Sequence, residues 1–148
     1  MYFVDMRKMN EILDYFDQTL ALVKDSQFQT PIEHFALERI SHVLIESMID
    51  IGNMMIDGFI MRDPGSYVDI IHILVDEKVI PAEENDGYEA VINMRKMLVQ
   101  NFRQIDHDHV SKVIEENMPI LARFSSNIRA YLASEMGVAN TFTATADK

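Results

Sequence analysis

Apolar side chains at Met6, Met9, Leu13, Phe16, Leu20 and Val23 recur in alternating steps of three and four. That period fits one face of an α-helix and excludes a strand, whose side chains alternate with period two. Asp5, Glu11, Asp14, Asp17 and Lys24 fall off the stripe. The segment is therefore amphipathic and needs a partner surface along its apolar side.

The rest of the chain repeats this pattern. Gln27 to Thr30 reads as a link, and Pro31 suits the first turn of a second helix predicted from about Ile32 to Phe59. Its packed stripe is Leu37, Ile40, Leu44, Ser47, Met48, Ile51 and Met55, with Gly52 and Gly58 as local weak points. Arg62-Asp63-Pro64-Gly65-Ser66 then stops it. Ser66 is a good N-cap, with Asp69 in the position of a shortened capping box, for a third helix ending near Lys78. Pro81 opens a fourth, with Glu83 and Glu84 at its positive end, predicted to run to about Phe102 with a weak point at Gly87. Asp106 or Asp108 caps a fifth carrying Val110, Val113, Ile114, Leu121, Ile128 and Leu132, kinked or split at Pro119. From Gly137 no helical period remains, so residues 137–148 are expected to form a flexible tail after a single domain spanning 1–136. Short links between amphipathic helices imply antiparallel neighbours. The predicted fold is all-α, an up-and-down bundle of four to five helices.

Composition narrows the function classes. No apolar run reaches the ~20 residues of a membrane-spanning helix, and Met1-Tyr2-Phe3-Val4-Asp5 does not read as a secretory signal. With no cysteine there is neither a disulfide nor a thiolate metal site, so a cytoplasmic protein away from membranes is expected. The formal charge of −11 disfavours broad electrostatic binding of RNA or DNA, though not a small basic site.

Five polar constellations stand out. Glu46, Asp50, Asn53 and Asp57 share one face of the second helix and form a possible polar cleft. They lack the Glu-x-x-His pairs of a di-iron bundle, and a solvated or dimer-facing surface is the simpler reading. Asp106-His107-Asp108-His109 resembles a ligand cluster, but consecutive residues point in different directions and capping accounts for the aspartates. His34, His42 and His72 are isolated, and no Gly-x-Ser-x-Gly elbow is present. The Arg62-Asp63-Pro64-Gly65 turn has the residues any helix–helix connection requires. No metal and no cofactor are expected.

The fifth constellation is Arg95 to Phe102, followed by Arg103. Arg95 stands four residues from both Val91 and Val99, beside the packed seam. Its guanidinium either reaches water or holds a phosphate or carboxylate with its fork. On an ideal helix of about 3.6 residues per turn, Gln100 is rotated from Arg95 by about 140°. The two serve one site only if the helix ends nearby or a second subunit completes it.

The segments Ile45 to Asn53, Arg62 to Tyr67 and Arg95 to Phe102 resemble HepT-like proteins, a branch of the HEPN superfamily, over about residues 5 to 134. The resemblance implies a homodimeric helical bundle related to metal-independent RNase toxins, which are paired with a minimal nucleotidyltransferase antitoxin. The family motif is an arginine, four to six residues, then a histidine, often with a tyrosine two residues later. These map onto Arg95, Gln100 and Phe102. In the family the histidine acts on the RNA 2′-hydroxyl, the arginine stabilises phosphate charge, and the tyrosine accepts nucleotides from the antitoxin. A glutamine amide cannot serve as a general base near neutral pH, and phenylalanine has no hydroxyl to modify.

Three functions follow as alternatives. One is a catalytically impaired, dimeric binding or regulatory module using Arg95, Lys96, Gln100, Phe102 and Arg103, with an antitoxin-type protein partner and RNA disfavoured by the acidic charge. Another is an active or weakly active RNase toxin in which Arg95 and Gln100 act together. The last is a structural or assembly protein in which Arg95 serves only an ion pair.

Overall fold

The computed structural model describes residues 4–135, and the expected tail at 137–148 lies outside them. Helices in chain order are α1 (Met6–Lys24), α2 (Pro31–Gly58), α3 (Tyr67–Asp76), α4 (Asn85–Ile92), α5 (Arg95–Gln100), α6 (His107–Glu116), α7 (Met118–Leu121) and α8 (Phe124–Glu135), with a 3-10 turn at Ala82–Glu84. The all-α expectation holds, and none of the described helices is long and apolar enough to cross a membrane.

The stripe of α1 is the core side of that helix: Met9, Leu13, Phe16, Leu20 and Val23 are all buried. Asp5 caps it by accepting from the Lys8 amide. α1 packs along α2, the central element, which also carries α3, α5 and α6. α2 begins with a full capping box: the Thr30 hydroxyl accepts from the Glu33 amide at 3.2 Å, and the Glu33 carboxylate accepts from Thr30 N–H at 2.9 Å. Gly52 is a contact residue rather than a mere weak point. A Cβ there would sit 2.2 Å from Ile70 Cγ2, so the close crossing of α2 and α3 depends on glycine.

The helix breaks agree with expectation in some places and depart from it in others. α2 ends at Gly58, close to the expected Phe59, ahead of a left-handed Ile60 with φ of 55°, and the Met61 amide then closes on Ile56 O. Ser66 caps α3, accepting from the Asp69 amide. The Asp69 carboxylate does not complete a capping box. It accepts instead from Gly65 N–H and from both amino groups of Arg62. The predicted fourth helix breaks at Asn93–Met94, not at Gly87. Gly87 lies in the helix interior because Ile120 Cδ1 would stand 2.5 Å from a Cβ there. The predicted fifth helix is split around Pro119 into α6, α7 and α8, as its proline requires.

The core is centred on Phe16, Tyr88 and Phe124, all fully buried, with Phe16 and Phe124 ring centres 5.2 Å apart and Tyr88 and Phe124 5.7 Å apart. α4 is thereby fixed, and α5 starts after the break at Asn93–Met94 that follows it. That break positions the site.

Candidate functional site

Arg95 is the first residue of α5, directly after the buried Met94. Starting a new helix there turns the side chain away from the seam that Val91 and Ile92 bury and toward α2. Its Nε donates to Glu46 Oε1 at 2.6 Å. The guanidinium carbon lies 4.5 Å from the ring centre of Tyr67, the first residue of α3. Three elements therefore meet at one cation: α2 through Glu46, α3 through Tyr67 and α5 through Arg95. The pair is partly open to water, with side-chain exposure of 25% for Arg95 and 35% for Glu46. The bond to Glu46 raises the Arg95 pKa further above its already high value, so the group is charged throughout the accessible range.

A cleft of about 260 Å³ opens beside this cation, lined by Ser66, Tyr67, Val68, Ile92, Asn93, Arg95, Lys96 and Gln100. Arg95 and Gln100 thus share one cavity. Their helical offset is overcome because α5 spans only these residues and Gln100 is its last. Lys96 adds a second positive charge, and Gln100 an amide that can donate or accept a hydrogen bond.

The remaining predicted residues divide. Glu46 is drawn into the site as the partner of Arg95, and it also lines, with Asp50, Glu11, Tyr15, Arg39 and His42, a groove of about 330 Å³ between α1 and α2. Asn53 lines neither cavity and is exposed. Phe102 is 64% exposed and, like Arg103, lies beyond α5 and outside the cleft lining.

Four of the five histidines, all but the exposed His109, stand against a neighbouring side chain. His107 Nε2 stands 2.7 Å from Glu38 Oε2, and its ring stacks on His34 at 4.0 Å, tying the start of α6 to α2. Asp106 caps α6, accepting from the His109 amide as its position predicted. His72 lies between Asp69 at 3.6 Å and Glu89 at 3.2 Å. His42 alone approaches the site, with Nε2 3.6 Å from the same Glu46 oxygen that Arg95 holds. Among the described residues no group of three or more acidic and histidine side chains is arranged to hold a metal. Arg62 is bound by Asp69 and Asp76, so its turn is braced rather than ligand-ready.

Sequence reasoning did not place Tyr67 at the site. It closes the Arg62 to Tyr67 segment that carries the family resemblance, but nothing local announces a cation reaching it from 28 residues later in the chain (95 − 67).

The family model described as Ribonuclease HepT-like matches residues 9–128. The candidate RNase YutE of Bacillus subtilis is 47% identical over 144 residues, covering 96% of this chain and 99% of that protein. A solved structure of YutE from Bacillus subtilis, described as a cytosolic protein of unknown function, superposes with a TM-score of 0.89 at 48% identity, covering 93% of this chain and 96% of the other. A tri-AMPylated HEPN toxin of Shewanella oneidensis, solved in complex with an MNT antitoxin, superposes at 0.73 with 18% identity over 82% of this chain and 96% of its own. That last likeness is one of fold.

Proposed function

The chain belongs to the Ribonuclease HepT-like family, and on that premise we propose that it is a catalytically impaired, homodimeric module that grips an RNA phosphodiester through Arg95. Within its cleft, Arg95 and Lys96 supply the positive charge and Gln100 orients a neighbouring hydroxyl or phosphate oxygen. The observation that carries this reading is the shared cleft itself: two cations, Arg95 and Lys96, line it together with Gln100, an amide at the motif's proton-accepting position. An amide takes up no proton near neutral pH, so the 2′-hydroxyl has no base at that position. Family membership supports homodimerisation and a nucleotidyltransferase-type partner as parts of this reading. The net charge of −11 fits a protein partner as well as a short, local RNA contact.

A fluorescently labelled single-stranded RNA tests this by anisotropy, alongside gel analysis of the same RNA for cleavage. Wild type should bind and leave the RNA intact, and Arg95→Ala should weaken binding at least about tenfold, the equivalent of one lost charge-assisted contact. Binding that is absent, or unchanged in Arg95→Ala, contradicts the reading. RNA cleavage that disappears in Arg95→Ala would establish instead the second reading, an active RNase. The RNase description of the Bacillus subtilis relative favours that alternative.

A further inference from the structure

We propose that Glu46 is a positioning residue that presents the amino edge of Arg95 to a phosphodiester, an inference that rests on the phosphate-binding reading above. The geometry of the contact carries it. A guanidinium has five N–H donors, one on Nε and four on the two terminal nitrogens. Glu46 takes the Nε donor at 2.6 Å. Among the described residues, no side chain or backbone oxygen bonds the two terminal nitrogens of Arg95. Tyr67 covers one face of the group at 4.5 Å. The plane is thus held from its inner edge and from one face, and the outer fork is left open.

The same protein shows what a closed arginine looks like. Asp69 bonds Arg62 at both terminal nitrogens, at 2.8 and 3.1 Å, occupying the fork a bidentate anion would use. A carboxylate that competed with phosphate at Arg95 would sit in that way. Glu46 does not. It engages Nε, a donor that a phosphate bridging the two terminal nitrogens does not use, so its carboxylate and the ligand bind the cation together.

Glu46 is suited to this because it projects from the middle of α2, 49 residues from Arg95 in sequence, on the helix that carries much of the core. An arginine held there keeps its rotamer before the ligand arrives, so less side-chain freedom is lost on binding. Lysine could not replace it, because a single ammonium cannot satisfy Glu46 and also offer a planar fork.

The test separates position from charge. Glu46→Gln keeps the acceptor oxygen and removes the charge, whereas Glu46→Ala removes both. RNA affinity should fall about three- to tenfold in Glu46→Ala, the equivalent of ordering one long side chain on binding, and be retained within about twofold or rise in Glu46→Gln. Arg95→Lys should weaken binding in the wild-type background and weaken it much less in the Glu46→Ala background, the coupling expected of residues that act as a unit. Thermal melting of each full-length variant accompanies these measurements. Tighter binding in both Glu46 variants would overturn the proposal, making Glu46 a neutraliser of the site. A lowered melting temperature in Glu46→Ala with unchanged RNA affinity would also overturn it, leaving a structural ion pair. If Arg95→Ala binds RNA as wild type does, the phosphate-binding reading itself fails. If Arg95→Ala loses binding while Glu46→Ala keeps it, only the positioning role is lost.

Discussion

The hydroxyl of Tyr88 lies 2.9 Å from Glu84 Oε1, inside a bundle where Tyr88 is fully buried and Glu84 is 4% exposed. Asn127 Nδ2 donates to the same oxygen at 2.8 Å, and Ile120 O stands 2.9 Å from the Tyr88 hydroxyl. A carboxylate taken this far from water is tolerated because its oxygens are partnered, with Arg123 3.7 Å from the second one. The cluster joins the 3-10 turn, α4, α7 and α8, and so fixes the platform from which α5 starts.

Tyr88→Phe keeps the ring in place and removes one donor from this buried carboxylate. The expected loss of stability is about 1–3 kcal/mol, the cost of leaving a buried polar group short of a partner. Glu84→Gln should cost less, since the amide still accepts from Tyr88. Urea denaturation monitored by circular dichroism measures both. Burial, then the nearby Glu84 carboxylate, push the Tyr88 phenol well above its ordinary value. The unfolded chain therefore loses this proton first, and stability should fall as pH rises above about 10. A phenol that titrates near 10 in the folded protein would contradict the geometry.

Ile60 predicts a gain. A β-branched residue at φ of 55° occupies the position after a helix end where glycine is usual, and its side chain is 76% exposed. The left-handed backbone costs an L-residue about 1–2 kcal/mol, and glycine returns part of that gain through its freer unfolded chain. Ile60→Gly should therefore stabilise the fold by about 0.5–1 kcal/mol. The check is a higher urea midpoint with an unchanged slope. A lower midpoint would mean that contacts of the Ile60 side chain outweigh its backbone strain.

Asp69 gives an acid-side prediction. Hydrogen bonds from Arg62 and then from the Gly65 amide hold its pKa down at about 2. An unfolded aspartate titrates near 3.9, so the unfolded chain takes up the proton first. The stabilisation is complete above about pH 4 and is lost as pH falls toward about 2. Asp69→Asn should remove that part of the pH dependence below about pH 4, read as melting temperature against pH. Because the pair is solvent-exposed, high salt should shrink the difference.

What the chain revealed in advance depended on whether a feature was local. The stripe from Met9 to Val23, the Thr30-Pro31 start, the Ser66 cap and the split at Pro119 are written in neighbouring residues, and each was legible. The break at Asn93–Met94 was not, because neither residue is a helix breaker, although Met94 is buried in the core there. Gly87 misled for the converse reason: its missing side chain serves the approach of Ile120, a tertiary fact. Arg95 and Gln100 were legible as candidates, but the one cleft they share depends on that unseen break. The pairing of Arg95 with Glu46 and Tyr67 joins three helices and has no period or spacing to announce it.

The decisive substitution at the site is Gln100→His. It places an imidazole at the last residue of α5, in the cleft that already holds Arg95 and Lys96. An unperturbed imidazole has a pKa near 6.5, so at neutral pH a substantial fraction can accept a proton from an RNA 2′-hydroxyl. If the cleft keeps the geometry of its family, cleavage should rise about 10²–10⁴-fold over wild type, the usual contribution of a positioned general base. The rate should increase with pH through about 6.5, as the neutral imidazole forms. Adding Arg95→Ala should abolish the gain, because the phosphate would lose its cation while the base remained. A Gln100→His protein that binds RNA normally and cleaves nothing would show that the departure from the family lies in the shape of the cleft as well as in residue 100.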